Sequence, residues 1–103
     1  MKIIELKDGL RRVDAEGSII DIGEERSVNL KAGGEARVQE STLQDDSGSI
    51  KLSLWNDHID SIKIGSKVIV GNGYVNSWQG EIRLNVGRYG SLTVDGAVIQ
   101  SNS

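Results

Sequence analysis

The run Ser49-Ile-Lys-Leu-Ser-Leu-Trp55 constrains the fold of this chain more than any other stretch. Ile50, Leu52 and Leu54 fall on one side of an extended backbone, and Lys51, Ser53 and Trp55 fall on the other. Strict alternation of this kind is the pattern of a half-buried strand. Asp45-Asp46-Ser47-Gly48 just before it is a turn signal. Ala36–Leu43 on the far side of that turn is again extended, so the two strands form a hairpin. With 103 residues and no cysteine, the chain makes a single domain held by packing and backbone hydrogen bonds alone.

The remaining segments follow the same style. Val13–Ile22 reads as a strand, with Gly17 marking a bulge or tight bend. Gly23–Gly34 is polar and reads as a long hairpin loop. After Trp55, Asn56 or Asp57 caps a short helix of one or two turns through His58, Ile59, Ile62 and Lys63, which Gly65 ends. Lys67–Trp78 is the fourth strand, Glu81–Val86 the fifth, and Leu92–Val94 a short closing strand. Ile3–Asp8 packs against the domain as a lead-in. The domain is expected over residues 1–94, with 95–103 a partly flexible tail.

Short strands, one short helix and no long crossover describe an all-β fold. The order matches a five-stranded Greek-key OB-fold barrel with one short helix between strands 3 and 4, whose usual ligand face lies on strands two and three.

The rings of this chain are few: two tryptophans, two tyrosines and no phenylalanine. A small domain ordinarily uses such rings in its core. Trp55 instead leaves its strand beside Lys51 and Ser53, away from Ile50, Leu52 and Leu54. Tyr74 and Trp78 are four apart and share a face of an extended strand. With Val68 and Val70 inward, unbroken alternation turns both rings inward too. A bulge at Gly71-Asn72-Gly73 turns them outward. An exposed ring beside a cation suits a nucleobase and the phosphate next to it. The alternatives are that Trp55 packs under a loop or against the helix, and that Tyr74 and Trp78 form a small end-core or a partner-protein patch. Arg83 lies beside these rings after a tight turn at Gly80, and Arg37 is placed outward on strand two by parity. Arg88 and Tyr89 follow strand five, where Tyr89 equally suits a cap on the barrel end.

Net charge is −3, which argues mildly against coating nucleic acid by bulk charge. Its distribution is uneven. Residues 1–50 carry 7 basic and 11 acidic side chains, whereas residues 51–90 carry 5 basic and 3 acidic. Catalysis has little to work with. One histidine and no cysteine exclude a Cys-His pair and a multi-histidine metal site. His58 sits in a short helix rather than in a preorganised triad. Turn and cap roles account for Asp45-Asp46 and Asp57/Asp60. Gly71-x-Gly73 lacks the βαβ unit of a dinucleotide site. The chain is expected to be no enzyme and to use no cofactor or metal. The absence of a signal pattern and of a long apolar run fits a cytoplasmic protein.

Gly48-Ser-Ile-Lys-Leu-Ser-Leu-Trp55, Asp57-His58, Ser61-Ile62-Lys63-x-Gly65, Asn72-Gly-Tyr74 through Trp78-x-Gly80, and Leu84-Asn-Val-Gly87 together resemble archaeal single-stranded DNA-binding proteins and single OB domains of archaeal replication protein A. The likeness covers roughly residues 5–94, and Arg88-Tyr89-Gly90 looks most like the replication protein A version. The resemblance implies that Trp55, Tyr74 and Trp78 stack on bases. Binding of single-stranded DNA with little sequence preference, in replication and repair, is the function expected. Lys51, Arg37, Arg83 and Arg88 would then neutralise phosphates, with Ser53 and Tyr89 on the same face. The other readings are an OB-fold subunit that meets further replication or repair proteins, and an RNA-binding OB domain. No membrane partner is expected.

Overall fold

The computed structural model describes residues 2–86 and 90–99, apart from the side chains of Asp57 and Trp78. After a 3₁₀ turn at Ile3–Glu5, the described residues form β1 (Arg11–Asn29), β2 (Glu35–Gln44), β3 (Ser49–Trp55), α1 (Asp57–Asp60), β4 (Lys67–Trp78), β5 (Glu81–Asn85), β6 (Ser91–Val94) and β7 (Ala97–Ile99). Neighbouring strands run β1-β2-β3-β5-β4, and β1 also pairs with β4. Five strands therefore close into a ring, and β6 and β7 continue outward from β4. The fold is all-β, as expected, with the helix between β3 and β4. Among the described residues no helix is long and apolar enough to cross a membrane.

The ring closes around the residues that alternation points inward. Ile50, Leu52 and Leu54 of β3 are buried together with Ile19, Leu43, Val68, Val70, Leu84 and Leu92. The lead-in docks through Ile3 and Leu6, both buried. Asp45 anchors it. Its Oδ2 accepts from the Ile3 amide at 2.9 Å, and its Oδ1 accepts from the Ser47 amide and hydroxyl and the Gly48 amide. The Ser47 hydroxyl leads the bonds that hold this carboxyl down to about 2, from an ordinary 3.8.

Closing a ring of five strands requires sharp bends, and glycines supply two of them. Ser18 pairs with both Gln44 of β2 and Lys67 of β4, so β1 changes partners there. At the adjacent Gly17 a side chain would collide with the Gln44 carbonyl. In β4, Val13 and Ala15 of β1 face Gly73 and Val70, which leaves one extra residue on β4. The bulge at the glycines is present, and it reverses the parity. Val68 and Val70 are buried before it, Val75 after it, and Tyr74 is exposed. A Cβ on Gly73 would lie 2.6 Å from the Asn85 carbonyl, so only glycine lets the strands approach this closely.

Three expectations change. The polar stretch 23–34 is mostly strand: β1 runs on to Asn29 and pairs with Glu35, and only residues 30–34 turn. This outer half of β1 forms a ribbon with β2 and covers little of the core, so its residues carry no apolar alternation. The helix is a single turn, within the expected one or two, but the side chain of Asn56 makes no cap bond to it. Asn56 instead accepts from the Arg37 amide and donates its own amide to the Arg37 carbonyl. Ala97–Ile99, within the stretch expected as a tail, pairs with β6. Residues 100–103 lie outside the described residues.

Candidate nucleic-acid interface

Strand register places one face of the ring in three transverse rows, because directly opposed residues share a face. The first row is Arg26, Val38 and Trp55 across β1, β2 and β3. The second is Glu40, Ser53, Asn85 and Tyr74 across β2, β3, β5 and β4. The third is Thr42, Lys51, Arg83 and Asn76. A groove of about 460 Å³ opens over these rows, with Arg26, Val38, Glu40, Ser53, Trp55, Arg83 and Asn85 in its lining.

Both described rings of the expected platform are on the surface. Trp55 is 42% exposed and Tyr74 40%. Strand spacing and rise per residue put their backbones about 12 Å apart, so each ring is matched to a separate base. Trp78 ends β4 opposite Glu81, and its side chain lies outside the described residues. So do Arg88 and Tyr89.

The polar residues divide. Lys51 lies beside Arg83 and donates from Nζ to Thr42 Oγ1 at 3.3 Å. Ser53 is on the expected face but is buried in the groove floor. Arg83 is in the groove with only 14% of its side chain exposed, because Nη1 is 2.6 Å from Glu40 Oε1. The same oxygen lies 3.8 Å from Nη2 of Arg26, whose side chain is 57% exposed.

Arg37 is not brought to this face. It leaves β2 on the α1 side, donating to Asp60 and to Glu25. The Arg37 guanidinium bonded to Asp60 holds that carboxyl below its ordinary value. Parity failed here because Ala36 and Val38 are buried on the groove face, whereas Ser41 and Leu43 are buried in the core. Counting inward from Val38 therefore puts Arg37 on the wrong side. A one-residue slip always reverses faces in this way.

Arg26, Val38, Glu40, Asn76 and Asn85 are groove residues that the sequence did not single out. Arg26 was hidden in the polar stretch taken for a loop. Glu40 follows from Ser53 once the β2–β3 register is known, as Asn76 follows from Arg83.

The family model described as "Single-stranded DNA binding protein Ssb-like, OB fold" matches residues 11–94. The chain is 30% identical over 86 residues to the single-stranded DNA binding protein Ssb of Saccharolobus solfataricus, covering 84% of this chain and 57% of that protein. It is 27% identical over 88 residues to Replication factor A of Methanothermobacter thermautotrophicus, covering 84% of this chain and 11% of that one. It therefore spans little more than half of the first relative and a small part of the second. The second OB-fold domain of replication protein A from Methanococcus maripaludis superposes with a TM-score of 0.75 at 24% identity, covering 97% of this chain and 98% of that one. That likeness shows the fold. The matching family is one of binding proteins rather than enzymes, and the chain belongs to it: the Ssb-like, OB-fold family of single-stranded DNA-binding proteins.

Proposed function

We propose that this domain binds single-stranded DNA across the groove with little dependence on sequence, serving replication and repair in the cytoplasm. Bases stack on Trp55, Tyr74 and Trp78, while Arg26, Lys51 and Arg83 meet the phosphates. Arg88 and Tyr89, which follow β5 in the sequence, are proposed as further contacts on the family likeness. Each stacked base contributes roughly 1–3 kcal/mol, so two or three rings give useful affinity without a base-edge code. The observation that carries this reading is a large exposed ring, Trp55, set at a groove that holds two guanidinium groups. Arg37 is left out of the contact set because it serves α1.

Titration of oligo-dT, oligo-rU and a duplex of equal length at low salt tests the reading. Tryptophan fluorescence should fall on addition of oligo-dT and recover as salt rises. The duplex, whose bases are stacked within the helix, should bind much more weakly. Equal or tighter binding of oligo-rU moves the function to RNA. No binding of any of the three favours a protein partner for the exposed rings.

A further inference from the structure

Glu40, Ser53 and Asn85 line the groove beside Trp55, in the row that Tyr74 ends. Its hydrogen-bonding character is set by the protein itself. Asn85 donates from Nδ2 to Asn76 Oδ1 at 3.1 Å and to the Arg83 carbonyl at 3.3 Å. A backbone carbonyl only accepts, so the amide nitrogen must face it. Among the described residues, the oxygen Oδ1 is the atom that Asn85 leaves for a ligand. Glu40 is likewise an acceptor, and the guanidinium groups of Arg83 and Arg26 hold its carboxylate in place. The trio carries one net positive charge, so it does not turn a phosphate away.

We infer that Glu40, with Asn85, biases this groove toward bases that carry an exocyclic amino group, and that Glu40 is a specificity-determining residue. This rests on the nucleic-acid reading above. A single strand presents its Watson–Crick edge freely. The edge of cytosine offers an N4 amino donor to a carboxylate, whereas thymine offers the O4 acceptor at the same place. Two acceptors face to face leave a buried oxygen without a partner, and that loss is the source of discrimination. Stacking on Trp55 and Tyr74 supplies affinity for any base, and Glu40 with Asn85 tilts the choice.

The test compares short oligo-dC and oligo-dT by fluorescence anisotropy with the whole chain, native and Glu40→Gln. The native protein should favour oligo-dC by about fivefold or more. Glutamine keeps the size but can turn its amide to donate to thymine, so the preference should shrink to within about twofold, whatever the absolute affinities do. An oligomer of 5-methylcytosine, which shares the methyl group of thymine, should follow oligo-dC; this arm needs no variant. Equal native binding of oligo-dC and oligo-dT overturns the inference but leaves single-strand binding standing. Persistence of the preference in Glu40→Gln, or 5-methylcytosine following thymine, overturns it as well. No binding of either oligomer overturns the reading of the groove, and this inference with it.

Discussion

Among the clefts that the described residues form, two differ in the kind of their linings. The groove of about 460 Å³ holds Trp55, Arg26 and Arg83, with Glu40 between the guanidiniums. The other, of about 570 Å³, lies between the lead-in, β1, β4 and the β2–β3 turn, and is lined by Glu5, Asp14, Glu16, Asp45 and Asp46 with Lys2 and Ile69. A net charge of −3 averages over both and describes neither. A polyanion is drawn to the first and turned away from the second, so the acidic cleft helps to make binding one-sided. Part of that cleft also holds the fold, since Asp45 ties down the lead-in.

The contrast can be broken most sharply at Trp55. Trp55→Ala should weaken oligo-dT binding tenfold or so, within the roughly 1–3 kcal/mol of one stacked base, with little change in melting temperature. Normal binding combined with a much lower melting temperature would make the ring a packing residue and dissolve the comparison.

Gly73→Ala is expected to act on both stability and the groove. Overpacking against the Asn85 carbonyl should cost about 1–3 kcal/mol. For a domain of this size that is a drop of about 4–8 °C per kcal/mol in thermal unfolding. Binding measured well below the melting point should fall too, since the bulge presents Tyr74.

The charges of the two clefts can be separated by salt dependence. Three phosphate contacts predict that log K falls with log salt at a slope of about −2 for a single strand, and Arg26→Ala should flatten it by about 0.7. Glu16→Gln, in the acidic cleft, should leave the slope as it was.

Asp45→Asn is the smallest effect and concerns stability alone. The folded carboxyl lies at about 2 and the ordinary value is 3.8. Its contribution is thus complete above the ordinary value and fades as pH falls toward about 2. The variant should melt below the native protein at neutral pH, and the gap should close in acid.

The parts of this molecule legible in the sequence are those where one face is buried. β3 alternates cleanly because Ile50, Leu52 and Leu54 fill the ring while Lys51, Ser53 and Trp55 face away. The bulge in β4 was legible because Val68 and Tyr74 required opposite faces with the same parity. The outer half of β1 was not, since a two-stranded ribbon buries neither side well and Glu24, Glu25 and Arg26 look like loop residues. Arg37 was misplaced for a related reason. Val38 is apolar because it lies beside Trp55 in the groove, and a strand with apolar residues on both faces gives no parity to count from. Which cations are bonded to carboxylates depended on cross-strand register, which a single sequence does not print.

The double membership of β1 also bears on how the domain is made. The β1–β2 and β2–β3 hairpins join neighbouring segments and can form as soon as each has been synthesised. The strand pairings that set Arg11 opposite Tyr74, and Lys51 opposite Arg83, join parts of the chain that are far apart in sequence. Contacts of such high order are entropically slow to close. A nascent chain can therefore show Trp55 on a finished hairpin long before the ring is shut. Tyr74, Arg83 and Asn85 arrive with the last strands, so the capacity to hold a nucleic acid is among the last things this domain acquires as it folds.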